Sequence, residues 1–368
     1  KGVGLAVASS SSLFLFLTAG WMHEEWHRAV MTNQNISSRN GFYHPEAWSN
    51  GLISVDSVKD EGLGRLKSQN PAETVRLMSA GIEGQIMLIG RQSDQLFLQE
   101  LTDNVDKKRI YSHRSFMAPL LIINQINTLS YLDICLSDDS DEITDLQNQR
   151  TIEIESRDFA GLDCNAWVYD MQRPDEPYKD RGPHPYGEGI DRYRSLKDLS
   201  SSEIKLLKEA RQIQLLNLFN PHFFGINGLH HSKGHWNFRL GSMLTPFGYT
   251  IDGHFGLVNN MLNSLWLFRL HRSQIGYSPE FGVRLFDLPI NENMNWHLGT
   301  SVWLQPENLR WDAQGRQLGG NIWSQFNWKV KDQTSLWVQM NGKTTGWIAG
   351  DVYLDPNISA RIGFSYHL

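Results

Sequence analysis

The sequence predicts an α+β protein: a mainly helical part over residues 1–229, then an antiparallel β-barrel of about eight strands over residues 230–368. Three observations predict it. Before about residue 230 the apolar residues recur at helical spacing, between long turns. After it they alternate with polar residues, strand after strand. Nine of the thirteen tryptophans fall in the second part: Trp236, Trp266, Trp296, Trp303, Trp311, Trp323, Trp328, Trp337 and Trp347. Several lie near expected strand ends, where interfacial aromatic girdles belong. The chain has 368 residues, 40% hydrophobic and 20% charged, which suits folded structure and not disorder. A net charge of −6, with no long basic run, gives nucleic-acid binding no electrostatic support.

The first helix is expected over Val3–Met31. Its opening run, Gly2 to Met22, carries no charge. Three readings fit that run: a membrane helix, a signal peptide with Lys1 as a basic stub and Thr18-Ala19-Gly20 near the cut, or a buried core helix. Ser9 to Ser12 favour close packing over lipid exposure. A second helix is expected from Asn70-Pro71, an N-cap residue and a proline at the first helical position, to about Leu101. A third covers Phe116–Leu132, interrupted by Asn124, Gln125 and Asn127. A fourth covers Ser202–Phe219, with Ile204, Leu207, Ile213, Leu216 and Phe219 mainly on one face and Asn220-Pro221 as its stop.

Two stretches read as loops. Ser137–Asp145 is acidic but lacks the glycine and final glutamate of a calcium loop, so a solvated turn is expected. Arg173–Arg194, rich in Pro, Gly, Asp, Arg and Tyr, reads as an ordered surface loop held by Arg–carboxylate pairs. Cys135 and Cys164 form no CxxC pair, which speaks against a thiolate metal site, and spacing leaves their pairing open.

In the second part Ile322, Phe326, Trp328 and Val330 share one strand face, against Trp323, Gln325, Asn327 and Lys329. Leu336, Val338 and Met340 repeat the pattern, and so do Ile358, Ala360, Ile362, Phe364 and Tyr366. Further strands are expected near 236–245, 248–258, 264–272, 281–288, 296–304 and 346–354. A soluble sandwich alternates as well, so the pattern alone leaves both open. The chain ends Arg361-Ile362-Gly363-Phe364-Ser365-Tyr366-His367-Leu368, which resembles the C-terminal assembly signal of bacterial outer-membrane barrels. Arg361, Gly363, Tyr366 and Leu368 fill the family's polar, glycine, hydrophobic and final places. The final leucine departs from the usual aromatic, and the resemblance covers one strand. It implies the outer membrane or cell envelope of a Gram-negative bacterium, with the lipid bilayer and the barrel assembly machinery as partners. A barrel also leaves no unpaired edge in lipid, and about eight strands would leave an interior filled by side chains.

His23-Glu24-Glu25-Trp26-His27 matches HExxH. On a helix, residues i and i+4 face the same way, so both imidazoles reach one ion and Glu24 lies beside it as a general base. Asn33 and Gln34 follow where the extended HExxHxxGxxH form would have glycine and histidine. The arrangement resembles the gluzincin zinc peptidases, in which a glutamate on a later helix completes the site. Glu83, in Ser79-Ala80-Gly81-Ile82-Glu83-Gly84-Gln85, takes that place: small neighbours would let its helix approach the first one, and a carboxylate in an apolar segment is costly unless paired or bound. The resemblance covers residues 13–90 and implies zinc on His23, His27 and Glu83, with a peptide or protein as substrate. A polar helix end without metal fits the same residues. His44, His113, His222, His230, His231 and His235 are further ligand candidates, and His230–His235 reads as a junction loop. The competing expectation is a non-catalytic outer-membrane barrel whose helices plug or dock on it, acting in assembly or binding.

Overall fold

The computed structural model describes residues 20–43, 54–98, 107–231, 234–259, 262–331 and 334–366. Most of the charge-free N-terminal run, His44 and Leu368 therefore lie outside the described residues. The helices are α1 (residues 20–33), α2 (Asp60–Gln69), α3 (Pro71–Leu98), α4 (Lys107–Cys135), α5 (Asp139–Arg150), α6 (Asp163–Gln172) and α7 (Ser201–Ile213). A short pair, β1 (Arg39–Asn40) and β2 (Val55–Asp56), lies among them. No single described helix is long and apolar enough to cross a membrane.

Local chemistry accounts for the helix ends. α1 stops at Asn35, whose φ of 53° reverses the chain while Asn35 N–H bonds Thr32 C=O and Ile36 N–H bonds Met31 C=O. α3 starts at Asn70-Pro71 as expected. A reciprocal box between Ser200 and Glu203 starts α7. Its α-helix ends at Ile213 and the chain tightens into a 3-10 turn over Gln214–Leu218. The acidic segment expected as a solvated turn is instead the start of α5. Asp139, Asp141 and Glu142 occupy its first turn, where carboxylates meet the positive end of the helix dipole. Cys135 and Cys164 are disulfide-bonded, tying the end of α4 to the start of α6. The Arg173–Arg194 segment carries the expected pairs: Arg173 with Glu203, Arg181 with Asp170 and Arg192 with Asp60.

The large sheet is antiparallel throughout. It comprises β3 (Leu229–His231), β4 (Gly234–Gly241), β5 (Leu244–Thr245), β6 (Gly248–Asn259), β7 (Asn263–Ser273), β8 (Gly276–Asn291), β9 (Met294–Pro306), β10 (Arg316–Lys331), β11 (Thr334–Lys343) and β12 (Asn357–Tyr366). Its order is β12-β11-β10-β9-β8-β7-β6-β4-β3, with β5 beside β6. Eight of these strands are long. Among the described residues β3 and β12 end the path, and no pairing joins them. His230 and His235 face each other across the β3–β4 hairpin, which replaces the expected junction loop. Residues 346–354, expected as a strand, form a loop. Gly346 and Gly350 take φ of 150° and 86°, and Trp347 leaves the sheet for the helical core.

The sheet is inside-out. On the face away from the helices Ile322 is 63% exposed, Met340 59%, Trp328 55% and Phe268 53%. The other face carries Asn237, Arg239, His254, Arg269, Glu280 and Arg284, and the C-terminal half of α3 lies against it. The tryptophans divide accordingly. Trp236, Trp266 and Trp296 sit outward, in ring contact with Phe255, Phe281 and Phe326, and Trp328 sits outward between Met294 and Leu336 on the neighbouring strands. Trp303, Trp323 and Trp337 lie inward over Gly319, Gly299 and Gly363, where a Cβ would collide with the indole. The main core is continuous across residue 230: Leu77, Met78 and Trp167 pack with Leu244, Phe247, Trp347 and Leu354.

Candidate metal centre

The centre forms where α1 meets α3. Two glycines permit the approach. A Cβ on Gly84 would lie 3.0 Å from Trp26 Cβ and 3.2 Å from Met22 O. A Cβ on Gly81 would lie 2.3 Å from His27 Nε2 and 2.4 Å from His23 Nε2. The two imidazoles thus close around the space that Gly81 leaves empty. The expectation that small residues bring α3 against the first helix describes this contact.

The third group is Asp163, the first residue of α6. Its Oδ2 stands 2.8 Å from His23 Nε2 and 3.1 Å from His27 Nε2. One ligand atom from each of His23, His27 and Asp163 lies within 4.8 Å of the others, the one such group among the described residues. His27 Nδ1 donates to Leu77 C=O over 2.7 Å, which turns the Nε2 lone pair toward the centre. Phe159 packs on His27, and Tyr131 meets His23 edge-on. Tyr131 Oη accepts the N–H of Asp163 at 2.9 Å, and the disulfide at the adjacent Cys164 holds the same turn.

Glu83 has other partners. It pairs with Arg76, accepts from Trp347 Nε1 at 3.0 Å and Gly350 N at 2.9 Å, and lies 3.3 Å from Trp26 Nε1. Its carboxylate anchors the 346–354 loop. The structure brings His23 and His27 together with Asp163 and places Glu83 in that separate, fully buried ion pair. Glu25 turns outward to Arg28 and Asn40. Of the other histidines, His222 hydrogen-bonds Asn237 and His235 packs on Phe97.

The centre is electron-rich. Burial pushes the Glu24 carboxyl up to about 8, with Asp158 and Asp163 adding to the rise against His23. Burial and then Asp163 raise Asp158 to about 7. Asp158 caps the turn before α6 through Phe159 N and Gly161 N. Burial opposes charge on Asp163 too, but His27 and His23 hold its carboxyl well below the usual range. Burial opposes charge on His27, but Asp163, the Leu77 carbonyl and Asp158 together lift it above its ordinary value. Burial and Asp163 keep the Tyr131 phenol protonated.

These residues fit a zinc ion: two imidazole nitrogens and one carboxylate oxygen converge, a second bond fixes one imidazole, and Gly81 leaves the space. Asp163, Asp158 and Tyr131 escaped the sequence reading. The local signal for Asp163 was a lone aspartate opening an apolar helical run, Asp163-Cys164-Asn165-Ala166-Trp167, some 136 residues beyond His27. Comparison with protein-family models, curated proteins and solved structures returned no match.

Proposed function

We propose that the protein is a zinc-dependent peptidase of the bacterial outer membrane, with its long strands closed into an eight-stranded barrel and its chemistry at His23, His27 and Asp163. The observation that carries the catalytic reading is the convergence of three donor atoms around Gly81. His23 and His27 would hold the ion through Nε2, and Asp163 through a carboxylate oxygen. Bound zinc supplies a Lewis acid for the scissile carbonyl. Glu24, next to His23 on α1, would take the proton of the attacking water as a carboxylate and return it to the leaving amine. Tyr131 keeps its phenolic proton and donates to the developing oxyanion. The membrane reading rests on the sheet: an apolar outward face and a polar inward face suit lipid outside and a plugged lumen inside.

The alternative, a non-catalytic barrel with docked helices, draws on one observation: Asp163 Oδ2 is within direct hydrogen-bonding distance of both imidazoles, so the three side chains pair among themselves. One preparation separates the two. The full chain is isolated from fractionated envelopes, offered zinc and analysed for metal and peptide hydrolysis. The expected result is outer-membrane fractionation and about one zinc per chain, lost in His27→Ala and Asp163→Ala. Glu24→Gln keeps zinc and loses about 10²–10⁴-fold in rate. A wild type that holds no zinc overturns the peptidase reading, and fractionation with the soluble proteins overturns the membrane placement.

A further inference from the structure

A cavity of about 660 Å³ lies between the C-terminal half of α3 and the inward face of the sheet. It touches α1 at Trp26, but His23, His27 and Asp163 do not line it. Its lining carries five arginines, Arg91, Arg239, Arg269, Arg284 and Arg361, against three carboxylates, Asp94, Glu280 and Asp351. Asp94, from α3, is clamped by Arg239 at 2.6 Å and Arg284 at 2.7 Å. Arg269 is satisfied by Asp252 at 2.7 Å and Glu280 at 3.4 Å. Arg91 and Arg361 remain: both line the cavity, both are exposed to it, and neither has an ion-pair partner among the described residues. Burial, and then Arg284 and Arg361, disfavour the charge on Arg91, with Asp94 acting against them. On the same face of β12 as Arg361, Asn357 has both side-chain polar atoms buried without a partner. The chain as a whole carries −6, so this gathering of guanidiniums is not a general excess of cation.

We infer that this cavity binds a small molecule through an oxyanion, a phosphoryl or carboxyl group held by Arg91, Arg361 and the exposed side of Arg284, with Asn357 as a neutral partner. Guanidinium forks match both oxyanions. An anion would supply the counter-charge that the inward face lacks. The volume lies in the range that accepts a whole small molecule and not a single ion.

The test uses the full chain folded in detergent, titrated separately with inorganic phosphate and with succinate, by calorimetry and thermal unfolding. At least one probe binds saturably, more weakly as salt rises, and raises the melting temperature. The better binder identifies the group. Arg91→Gln and Arg361→Gln each weaken binding about tenfold. Each also raises the melting temperature of the ligand-free protein, because like-charge repulsion is relieved. Failure of both probes to saturate overturns the inference. So does wild-type affinity in the double variant, or a ligand-free Arg361→Gln less stable than wild type, which would make the arginine structural. None of these outcomes depends on zinc.

Discussion

The N-terminal half of α3 runs against α1 and α6, and its C-terminal half runs along the inward face of the sheet. The first half presents Gly81 to two imidazoles in a neighbourhood of three carboxyls, Glu24, Asp158 and Asp163. The second presents Arg91 and Asp94 to Arg239, Arg284 and Arg361. One end has an excess of lone pairs and the other an excess of guanidiniums. Between them the buried Arg76–Glu83 pair closes on itself and on the 346–354 loop. One helix thus carries a small residue where other side chains converge on it and long cations where it lines a cavity. The proposed cation site would need the helix surface withdrawn so that ligands from other elements converge, whereas the proposed oxyanion site would need the helix to reach out.

The largest expected effect comes from placing one methyl group at each end. Gly81→Ala puts a Cβ 2.3–2.4 Å from both Nε2 atoms, whereas at Gly90 the nearest atom is Arg239 Nη2 at 3.9 Å. Helix propensity improves by about 1 kcal/mol in both variants. Gly81→Ala should therefore lose zinc completely, and Gly90→Ala should keep it. Metal analysis of the two folded variants checks this. Full zinc occupancy in Gly81→Ala would show that the ion, if any, sits elsewhere, and the contrast between the two halves would break.

The uneven legibility of the chain follows the same division. The inside-out strands were readable because side-chain alternation is local: Ile322, Phe326 and Trp328 declare their face within one strand. His23 and His27 were readable because their spacing sets their geometry. The third group was not, because any buried carboxylate is chemically suitable and only tertiary packing decides which one arrives. Glu83 and Asp163 are both fully or almost fully buried. What separates them is Arg76, one helical stretch before Glu83 on α3, and Trp347, 264 residues away. The loop at 346–354 was lost with Glu83: a strand was expected there, but a tryptophan bonded to that buried carboxylate draws the segment into the helical core.

Glu83→Gln sharpens the comparison from the middle of the helix. The substitution leaves Arg76 buried without its counter-charge, and breaking a buried pair from one side costs about 3–5 kcal/mol. Zinc content should stay near one per chain in whatever fraction folds, because Glu83 is not among the convergent donors. Urea unfolding together with metal analysis reads both quantities. Lost metal with unchanged stability would reverse the assignment and return the ligand role to Glu83.

The smallest effect concerns two buried carboxyls near opposite ends of α3. The Asp94 carboxyl is held low, because Arg239 and Arg284 outweigh burial. Glu73 is buried as well, but its nearest cation, Arg76, is committed to Glu83, and its Oε2 has no partner. Burial pushes the Glu73 carboxyl up to about 7 from 4.5. The sign follows. Below pH 4.5 both folded and unfolded chains hold the proton, and no difference arises. Between pH 4.5 and about 7 the unfolded chain releases it while the folded chain keeps it, so stability falls as pH rises. Above about 7 the loss is complete and amounts to about 3 kcal/mol at most, from roughly 1.4 kcal/mol per pH unit. Glu73→Gln should therefore match wild type near pH 4, part from it through pH 5.5 and be the more stable protein at pH 8. Asp94→Asn should do the reverse at neutral pH, since it strips two guanidiniums of their shared partner. Urea unfolding at pH 4, 5.5 and 8 decides it: a constant difference between Glu73→Gln and wild type across the three would mean that the Glu73 carboxyl titrates alike in the folded and unfolded chains and that this half of α3 is wetter than its packing shows.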